Sequence, residues 1–331
     1  KSDGQERIQF LKGSMFNYTD TLRSSLKNIL GSKSRDSVID SIEDDYTNFI
    51  IDKLIIFLKK NRIKIDLIGF HGQTIIHKPD EKISWQIGNA KKIYNYFKVP
   101  IVYNFRKNDI LNNGKGAPLT PIFHDLIRKK INLRNLIFIN LGGISNITIS
   151  SKKHLISFDC GPCCYLSNDF IKNRINEEYD NNGFNASKGM INKNIVINLM
   201  KSNYFKIHPP KSLDRLDFGI NAFSELNLYD GLASINEFVA HSIYQSAQKY
   251  IKKDTTIIVG GGGRKNRDLI NKLKNKFNKK IFLCEEFNIN GDLLESYAFA
   301  YLAIRTLLKK PISYPRTTGV SIQTVGGDIL L

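Results

Sequence analysis

A β-hairpin pattern followed by a helical pattern occurs twice along this chain. In the first half, residues 66–77 are typical of a buried strand, a polar turn and a second short strand, and a helical stretch follows at residues 90–97. In the second half, residues 136–149 pair a strand, a glycine turn and a strand, and a strand at 155–159 precedes a helix at 165–175. Hairpins that alternate with helices favour an α/β fold. We therefore expect two α/β domains of similar core around a central cleft.

The length of the chain also indicates two domains. It has 331 residues, more than the roughly 250–300 that one hydrophobic core usually supports. Glycine and proline interrupt the pattern at residues 114–118, as they do in connecting segments. We place the boundary there, so that residues 1–113 with the C-terminal residues 315–331 form the first domain and residues 114–314 form the second.

The remaining elements follow from apolar periodicity. Helices are predicted at residues 18–30, 36–60, 120–130, 192–200, 232–251, 266–276 and 293–308. Further strands are predicted at residues 1–12, as an edge strand, and at 83–87, 100–106 and 255–259. Asp36 and Ser37 are good capping residues for the helix at 36–60.

Composition and charge exclude several classes of protein. No run of about 18 uncharged apolar residues occurs, which argues against a membrane-spanning helix. The first seven residues lack the apolar core of a signal peptide, so a cytoplasmic protein is expected. The net charge of +18 invites a nucleic-acid interpretation. Its basic clusters are short and are not interleaved with aromatic residues as in a stacking platform, so we expect no nucleic-acid partner.

The four cysteines do not form a secreted disulfide pattern. Cys160, Cys163 and Cys164 could supply half of a zinc site, but no second Cys/His pair lies at suitable spacing. Free thiols are therefore expected, and no metal site built from protein side chains.

One carboxylate stands out at the end of the strand at 155–159. Asp159 is followed by Cys160-Gly161-Pro162, and an aspartate that follows a strand beside such a turn is a recurrent catalytic placement in α/β folds. The alternative is that Asp159 caps the helix that follows.

Two glycine turns follow apolar strands. Gly142-Gly143 lies in the hairpin, and Gly260-Gly261-Gly262 precedes a helix. Neither matches the P-loop or the dinucleotide-binding pattern, but glycine after a strand exposes backbone N–H groups to an anion. The alternative is that the turns need glycine for conformational reasons.

Taken together, five stretches resemble the anhydro-N-acetylmuramic acid kinases of the actin/hexokinase/Hsp70-like superfamily, and they occur in the order of that family. They are Phe70-His71-Gly72-Gln73-Thr74; Asn104-Phe105-Arg106 with Gly116-Ala117-Pro118-Leu119; Asn140-Leu141-Gly142-Gly143-Ile144-Ser145-Asn146; Phe158-Asp159 with Gly161-Pro162; and Glu295 with Ala298-Phe299-Ala300. Pro209-Pro210-Lys211-Ser212 and Thr318-Gly319 extend the resemblance to nearly the whole chain.

The resemblance implies two RNase H-like (actin/hexokinase-type) domains and a homodimer. It implies a reaction that uses ATP and Mg²⁺: water attacks the anomeric carbon of 1,6-anhydro-N-acetylmuramic acid, the anhydro bridge opens, and O6 receives the γ-phosphoryl group. Asp159 matches the general base, and a reference pKa of about 3.9 would keep it ionised without special tuning. The other matching positions are Arg106, Glu295, His71 and Gln73 for the sugar, Gly142, Gly143 and Asn146 for the phosphates, and Gly260, Gly261, Gly262 and Asn266 for adenosine.

The residues themselves leave alternatives open. Arg106 and Glu295 could form an ordinary salt bridge, and His71 could be a core histidine whose ring nitrogens are both bonded. The sequence begins at Lys1-Ser2-Asp3-Gly4, which aligns after the family's first phosphate loop, so either a longer protein carries that loop or the protein lacks it. A non-catalytic sugar-binding remnant, which would follow from the second case, is a second hypothesis. A basic nucleic-acid-binding protein, which the net charge suggests, is a third. The family usually has threonine at Cys160, glycine at Cys163 and asparagine at Cys164. A turn that does not need positive φ, or a relaxed backbone, would accommodate Cys163.

Overall fold

The computed structural model describes the backbone of residues 1–331 and every side chain except that of Leu216. The chain forms two compact units, Lys1–Leu126 with Glu295–Leu331, and Ile127–Leu294. Residues 114–126 and 295–314, assigned from sequence to the second domain, therefore lie in the first unit. Hydrogen bonds within the first unit hold the beginning of the first of these segments: the Gly116 N–H donates to Asp109 Oδ1 (2.6 Å), and the Lys115 N–H donates to the carbonyl of Thr318, which is distant in sequence (2.7 Å).

The chain contains these helices and strands, numbered separately in chain order. The helices are α1 (Asp20–Asn28), α2 (Ser37–Asn61), α3 (Ala90–Phe97), α4 (Lys107–Leu111), α5 (Pro121–Lys130), α6 (Cys164–Ile175), α7 (Lys193–Met200), α8 (Leu228–Ala247), α9 (Arg267–Phe277) and α10 (Leu294–Leu307). The strands are β1 (Ile68–Gly69), β2 (Gln73–Lys78), β3 (Ile83–Ile87), β4 (Ile101–Tyr103), β5 (Asn135–Leu141), β6 (Ile144–Ser151), β7 (Leu155–Pro162), β8 (Thr255–Gly260), β9 (Ile281–Leu283) and β10 (Asp328–Leu330). Short 3₁₀ turns connect several of them.

The second unit contains a five-stranded sheet in the order β7-β6-β5-β8-β9. β5, β6 and β7 form an antiparallel meander, whereas β8 is parallel to β5 and β9 is parallel to β8. This order, with the second strand antiparallel to the rest, is the RNase H-like arrangement, and it confirms the expected α/β class. The side chains of β8 from Ile257 to Val259 are fully buried, because a central parallel strand is covered on both faces.

The first unit contains a three-stranded sheet, β1-β4-β10, and the hairpin β2-β3. Helices α1, α2 and α3 pack with these strands around a core that includes Ile39, Tyr46 and Ile93. The predicted edge strand at residues 1–12 is wrong. Ser2 and Ile8 form an isolated bridge with each other, because the Asp3 carboxylate accepts three backbone N–H groups and turns the chain between them.

Helix prediction succeeded where a cap and a buried stripe coincided. α2 begins directly after Asp36, whose carboxylate accepts the Ile39 N–H (2.8 Å), and its buried face includes Ile39, Ile42 and Tyr46. α8 begins four residues before its predicted start. Asn227 caps it by accepting the Asp230 N–H (2.9 Å), a polar cap that apolar periodicity alone does not reveal.

Candidate active site

Asp159 lies inside a strand, at a β-bulge. β7 continues to Pro162, so the prediction that the strand ends at Asp159 is wrong. Asn146 faces Asp159 across the sheet and Ser145 faces Gly161, which leaves Cys160 as the extra residue. A bulge interrupts the alternation of side chains and redirects them, and bulges are frequent next to active sites.

A segment after α7 holds Asp159 in place. The Asp159 N–H donates to the Lys211 carbonyl (3.1 Å), and the Leu213 N–H donates to Asp159 Oδ2 (3.0 Å). The Tyr204 hydroxyl donates to the Asp159 carbonyl (2.6 Å). Among the described residues, only Leu213 donates to the carboxylate, so Asp159 does not cap α6, and its Oδ1 is available to a ligand. Sequence reasoning missed Lys211 and Tyr204 as supporting residues, although Pro209-Pro210-Lys211-Ser212 is part of the resemblance.

The environment of Asp159 changes its acidity. Burial raises the pKa of Asp159 to about 6, while the bond from Leu213 and the charge of Lys211 oppose that rise. The expectation of an untuned carboxylate was therefore wrong, because it used the solvated reference value. At pH 7 the group is still mostly ionised and can accept a proton.

A positive φ explains neither hairpin glycine, although a Cβ on Gly142 would come within 3.3 Å of the Ile144 carbonyl oxygen. Neither Gly142 nor Gly143 has positive φ, and an ideal Cβ on Gly143 would have no described atom closer than 4.0 Å. The Gly143 carbonyl accepts the Cys163 N–H (2.9 Å) and the Gly142 carbonyl accepts the Cys164 N–H (3.1 Å), which fixes the turn against the start of α6. Because Gly143 is also exposed, the fold itself does not require glycine at this position.

The four consecutive glycines that end β8 and form the turn after it differ from one another. Gly260 packs against Phe138 and Leu294, Gly261 has φ +81°, and Gly263 packs against Leu141 and Cys164. Only Gly262 has no described atom within 4 Å of an ideal Cβ. The conformational alternative therefore explains Gly261, and packing explains Gly260 and Gly263, whereas Gly262 is left open toward a ligand.

A cavity of about 330 Å³ lies beside Gly262, within the second unit. Its wall includes Cys164, Tyr179, Asn182 and Asn266. Asn266 also caps α9, where its side chain accepts the Leu269 N–H (3.0 Å). The structure thus brings Gly262 and Asn266 together at one concave surface.

Asn146 is the remaining residue predicted near the phosphates. It faces Asp159 across β6 and β7. Its Oδ1 atom is buried and has no hydrogen-bond partner among the described residues. A buried acceptor left unpaired is costly, so Asn146 is suited to a donor supplied by a ligand.

In the first unit, His71 and Arg106 are joined directly. Arg106 Nη2 donates to His71 Nε2 (3.0 Å), and Arg106 Nη1 donates to the Gly116 carbonyl (2.7 Å). His71 Nδ1–H donates to the Gly72 carbonyl (2.8 Å), so His71 is neutral and both of its ring nitrogens are bonded. Burial and the charge of Arg106 lower the pKa of His71 to about 4, which is consistent with this tautomer.

One nitrogen of the Arg106 guanidinium is left without an acceptor. Its Nε is buried and has no partner among the described residues. Burial lowers the pKa of Arg106 to about 10, while the charges of Glu295 and Asp109 oppose that change. Glu295 is exposed at the start of α10 and affects the pKa of Arg106 through its charge. The guanidinium is held by its hydrogen bonds to His71 and Gly116 rather than by a salt bridge with Glu295.

Gln73 and His77 both lie on β2, which follows His71 in the chain. Gln73 Oε1 accepts from the Tyr18 hydroxyl (3.3 Å) and its Nε2 donates to the Thr74 carbonyl (3.2 Å). Sequence reasoning did not select His77. Its Nδ1 lies 2.8 Å from Ser84 Oγ, and burial with the charge of Arg106 lowers the pKa of His77 to about 4.

Two further properties concern the described residues as a whole. They contain no group of three or more His, Cys, Asp or Glu side chains arranged to hold a metal ion. None of their helices combines the length and apolar character needed to cross a membrane.

The sheet order of the second unit and the carboxylate on its bulged strand place this chain among the α/β proteins with an RNase H-like core. The family model described as anhydro-N-acetylmuramic acid kinase matches residues 2–331. The chain belongs to that family.

Relatives in two organisms support the assignment. The chain is 37% identical to the anhydro-N-acetylmuramic acid kinase of Zymomonas mobilis, with 99% of this chain and 94% of the relative covered. It is also 37% identical to the protein of the same name from Pelagibacter ubique, with 100% and 93% covered. A solved structure, the activator of 2-hydroxyisocaproyl-CoA dehydratase from Clostridium difficile with bound ADPNP, matches at TM-score 0.33 and 11% identity over 69% of this chain and 86% of that one. Similarity at that level assigns neither fold nor function.

Proposed function

We propose that this protein is an ATP-dependent anhydro-N-acetylmuramic acid kinase. In this reaction water opens the 1,6-anhydro ring and the freed O6 is phosphorylated, giving N-acetylmuramic acid 6-phosphate. Asp159 carries the proposal: its carboxylate is held at one oxygen by the Leu213 N–H, and its pKa is raised to about 6 by burial. A base works best when its pKa lies near the operating pH.

The proton transfer that we assign to Asp159 is simple. The ionised carboxylate accepts a proton from water as the water oxygen forms a bond to the anomeric carbon. The bond from that carbon to O6 breaks, and O6 forms a bond to the γ-phosphorus of ATP. The bond from that phosphorus to the β,γ-bridging oxygen breaks, and ADP leaves. Because Leu213 occupies Oδ2, Oδ1 is the atom that would take the proton.

We assign the sugar to the group around Arg106. The buried, unpaired Nε is a donor that suits the lactyl carboxylate, since guanidinium groups bind carboxylates strongly and often through two hydrogen bonds. Neutral His71 orients the guanidinium without adding charge. Gln73 and Glu295 would meet hydroxyl or amide groups of the sugar.

We assign ATP to the glycine turns of the second unit. Gly143, together with Gly142 and Asn146, would approach the phosphates, and the cavity beside Gly262 and Asn266 would take adenosine. Backbone without a side chain can come close to phosphate oxygens. Gly260 and Gly261, which the resemblance also matches, support the turn rather than the cavity.

We assign magnesium to the nucleotide rather than to a cluster of protein ligands. The described residues offer no cluster of three acidic or imidazole ligands, and Mg²⁺ in phosphoryl-transfer sites usually keeps several waters and binds substrate phosphates. When bound, the ion would neutralise charge on the transferred phosphoryl group. The resemblance further leads us to propose a cytoplasmic homodimer that acts in peptidoglycan recycling.

A coupled assay tests the proposal. The full gene product, incubated with Mg²⁺, ATP and the anhydro sugar, should release ADP and a sugar phosphate that mass spectrometry identifies. Asp159→Asn should abolish ADP release, whereas Asp254→Asn, at an exposed site, should not. An active Asp159→Asn variant would exclude this base. Sugar binding without turnover by the natural protein would favour the non-catalytic remnant instead.

A further inference from the structure

Two adjacent thiols lie at the start of α6, on the wall of the cavity beside Gly262. Cys163 and Cys164 have their sulfur atoms 3.9 Å apart. Cys163 is buried, whereas Cys164 is partly exposed and lines the cavity. The Cys164 sulfur also lies against the backbone of Gly263, where an ideal Cβ would come within 2.8 Å of it.

Two features of this pair lower the pKa of the Cys164 thiol, against its burial and against the Leu141 carbonyl 3.8 Å from its Sγ, both of which favour the S–H form. Cys164 is the first residue of a twelve-residue helix, and helix N-termini stabilise negative charge and activate thiols. Cys163 is placed to donate its S–H to the neighbouring sulfur, which lowers the pKa of Cys164 and raises that of Cys163.

The other two thiols are different. Cys160 and Cys284 are fully buried. Burial raises the pKa of Cys284 to about 12, and it raises the pKa of Cys160 further above its usual range. A reagent that enters the cavity would therefore meet only one accessible and acidic sulfur.

We propose that Cys164 is a reversible modification site for low-molecular-weight disulfides, and that the adduct occupies the cavity. The Cys164 thiolate attacks one sulfur of the disulfide, a new sulfur–sulfur bond forms, and the original one breaks. The second half of the reagent leaves as a thiolate and takes up the proton that Cys164 released. A free thiol reverses the exchange.

The consequence for catalysis rests on the proposed function. If adenosine occupies the cavity, the adduct and the nucleotide exclude each other, so ATP should protect Cys164 and the adduct should raise the KM for ATP. The modification itself depends only on the thiol pair and the cavity. Modification of Cys164 can therefore occur even if adenosine does not occupy the cavity.

The test uses the native protein and 5,5′-dithiobis(2-nitrobenzoate), which releases a coloured thiolate with each exchange. The expected result is about one fast equivalent per chain, mapped to Cys164 by peptide mass spectrometry and reversed by dithiothreitol. Cys164→Ser should remove that equivalent, and Cys163→Ser should retain the label on Cys164 but slow the reaction several-fold. First labelling at Cys160 or Cys284, or no release before denaturation, would overturn the proposal.

Protection by nucleotide tests whether adenosine occupies the cavity independently of whether Cys164 reacts. ATP with Mg²⁺ should slow the labelling of Cys164 by tenfold or more at saturation, while the anhydro sugar alone should not. Unchanged labelling in saturating ATP, with Cys164 still the modified residue, would overturn the adenosine assignment and its regulatory consequence and would leave the thiol site established.

Discussion

The raised pKa of Asp159 makes a prediction about stability that does not depend on activity. In the folded state burial raises the pKa from 3.8 to about 6, so the native protein binds more protons than the unfolded chain between those values. The contribution of Asp159 to the free energy of unfolding therefore falls as the pH rises through this interval and is constant above it. Asparagine can keep the bond from the Leu213 N–H but cannot ionise, so Asp159→Asn should remove this dependence.

The size of the effect follows from linkage. At pH 8 ionised Asp159 costs the folded state about 3 kcal/mol, and at pH 4.5 it costs about 1 kcal/mol. The stability advantage of Asp159→Asn should thus shrink by about 2 kcal/mol between pH 8 and pH 4.5. For a unit of this size that difference corresponds to about 4–8 °C in Tm.

Differential scanning calorimetry of both proteins at the two pH values provides the measurement. Asp254→Asn, an exposed substitution in the same unit, controls for the general effect of removing a carboxylate. If Asp159→Asn raises Tm by the same amount at both pH values, or does not raise Tm at pH 8, then burial does not destabilise the ionised carboxylate and Asp159 is not a base with a raised pKa.

Two further predictions concern catalysis. The value of kcat/KM should rise with pH around a midpoint near 6, because Asp159 must be ionised. Lys211→Met should move that midpoint upward, since the positive charge of Lys211 lowers the pKa of Asp159. An unmoved midpoint would assign the titration to another group. Gly143→Ala and Gly262→Ala should leave Tm unchanged and weaken ATP binding at least several-fold in calorimetric titration, because neither glycine is required by its surroundings. Gly219→Ala, also without neighbours within 4 Å, is the matched control and should bind ATP normally, so equal affinities in all three variants would contradict the assignment of the turns.

Local signals in the sequence were sufficient for the longer helices and for four strands of the main sheet, whereas the short helix α4 and the short edge strand β9 were not predicted. The β-branched run at 255–259 became β8, and the glycine hairpin became β5 and β6, because each pattern is complete within one element. The unit boundary was not predictable in this way. It depends on the bond from Lys115 to Thr318, which joins residues about two hundred positions apart and leaves no local pattern.

The candidate site was predicted by residue type but not by geometry. Four consecutive glycines look alike in sequence, yet Gly261 needs its positive φ, Gly260 and Gly263 need their close packing, and only Gly262 is open. The bulge at Cys160 could not be foreseen either, because register is decided by the pairing of β6 with β7. Likewise, the pKa of Asp159 depends on burial, which a motif does not report.

The cysteines that depart from the family pattern can now be separated by what they affect. Cys163 has φ −143°, so of the two alternatives for this position the turn without positive φ is the one observed. A residue other than glycine therefore fits there without backbone strain from a left-handed conformation. Asp159 is held by Lys211 and Leu213, which lie outside the turn, so the position of the carboxylate does not depend on residues 163 and 164. Substitution at those two positions therefore alters the chemistry of the cavity wall while leaving the base in place, and Cys164→Asn, which introduces the residue usual in the family, should abolish disulfide exchange at the cavity without shifting the pH midpoint of kcat/KM.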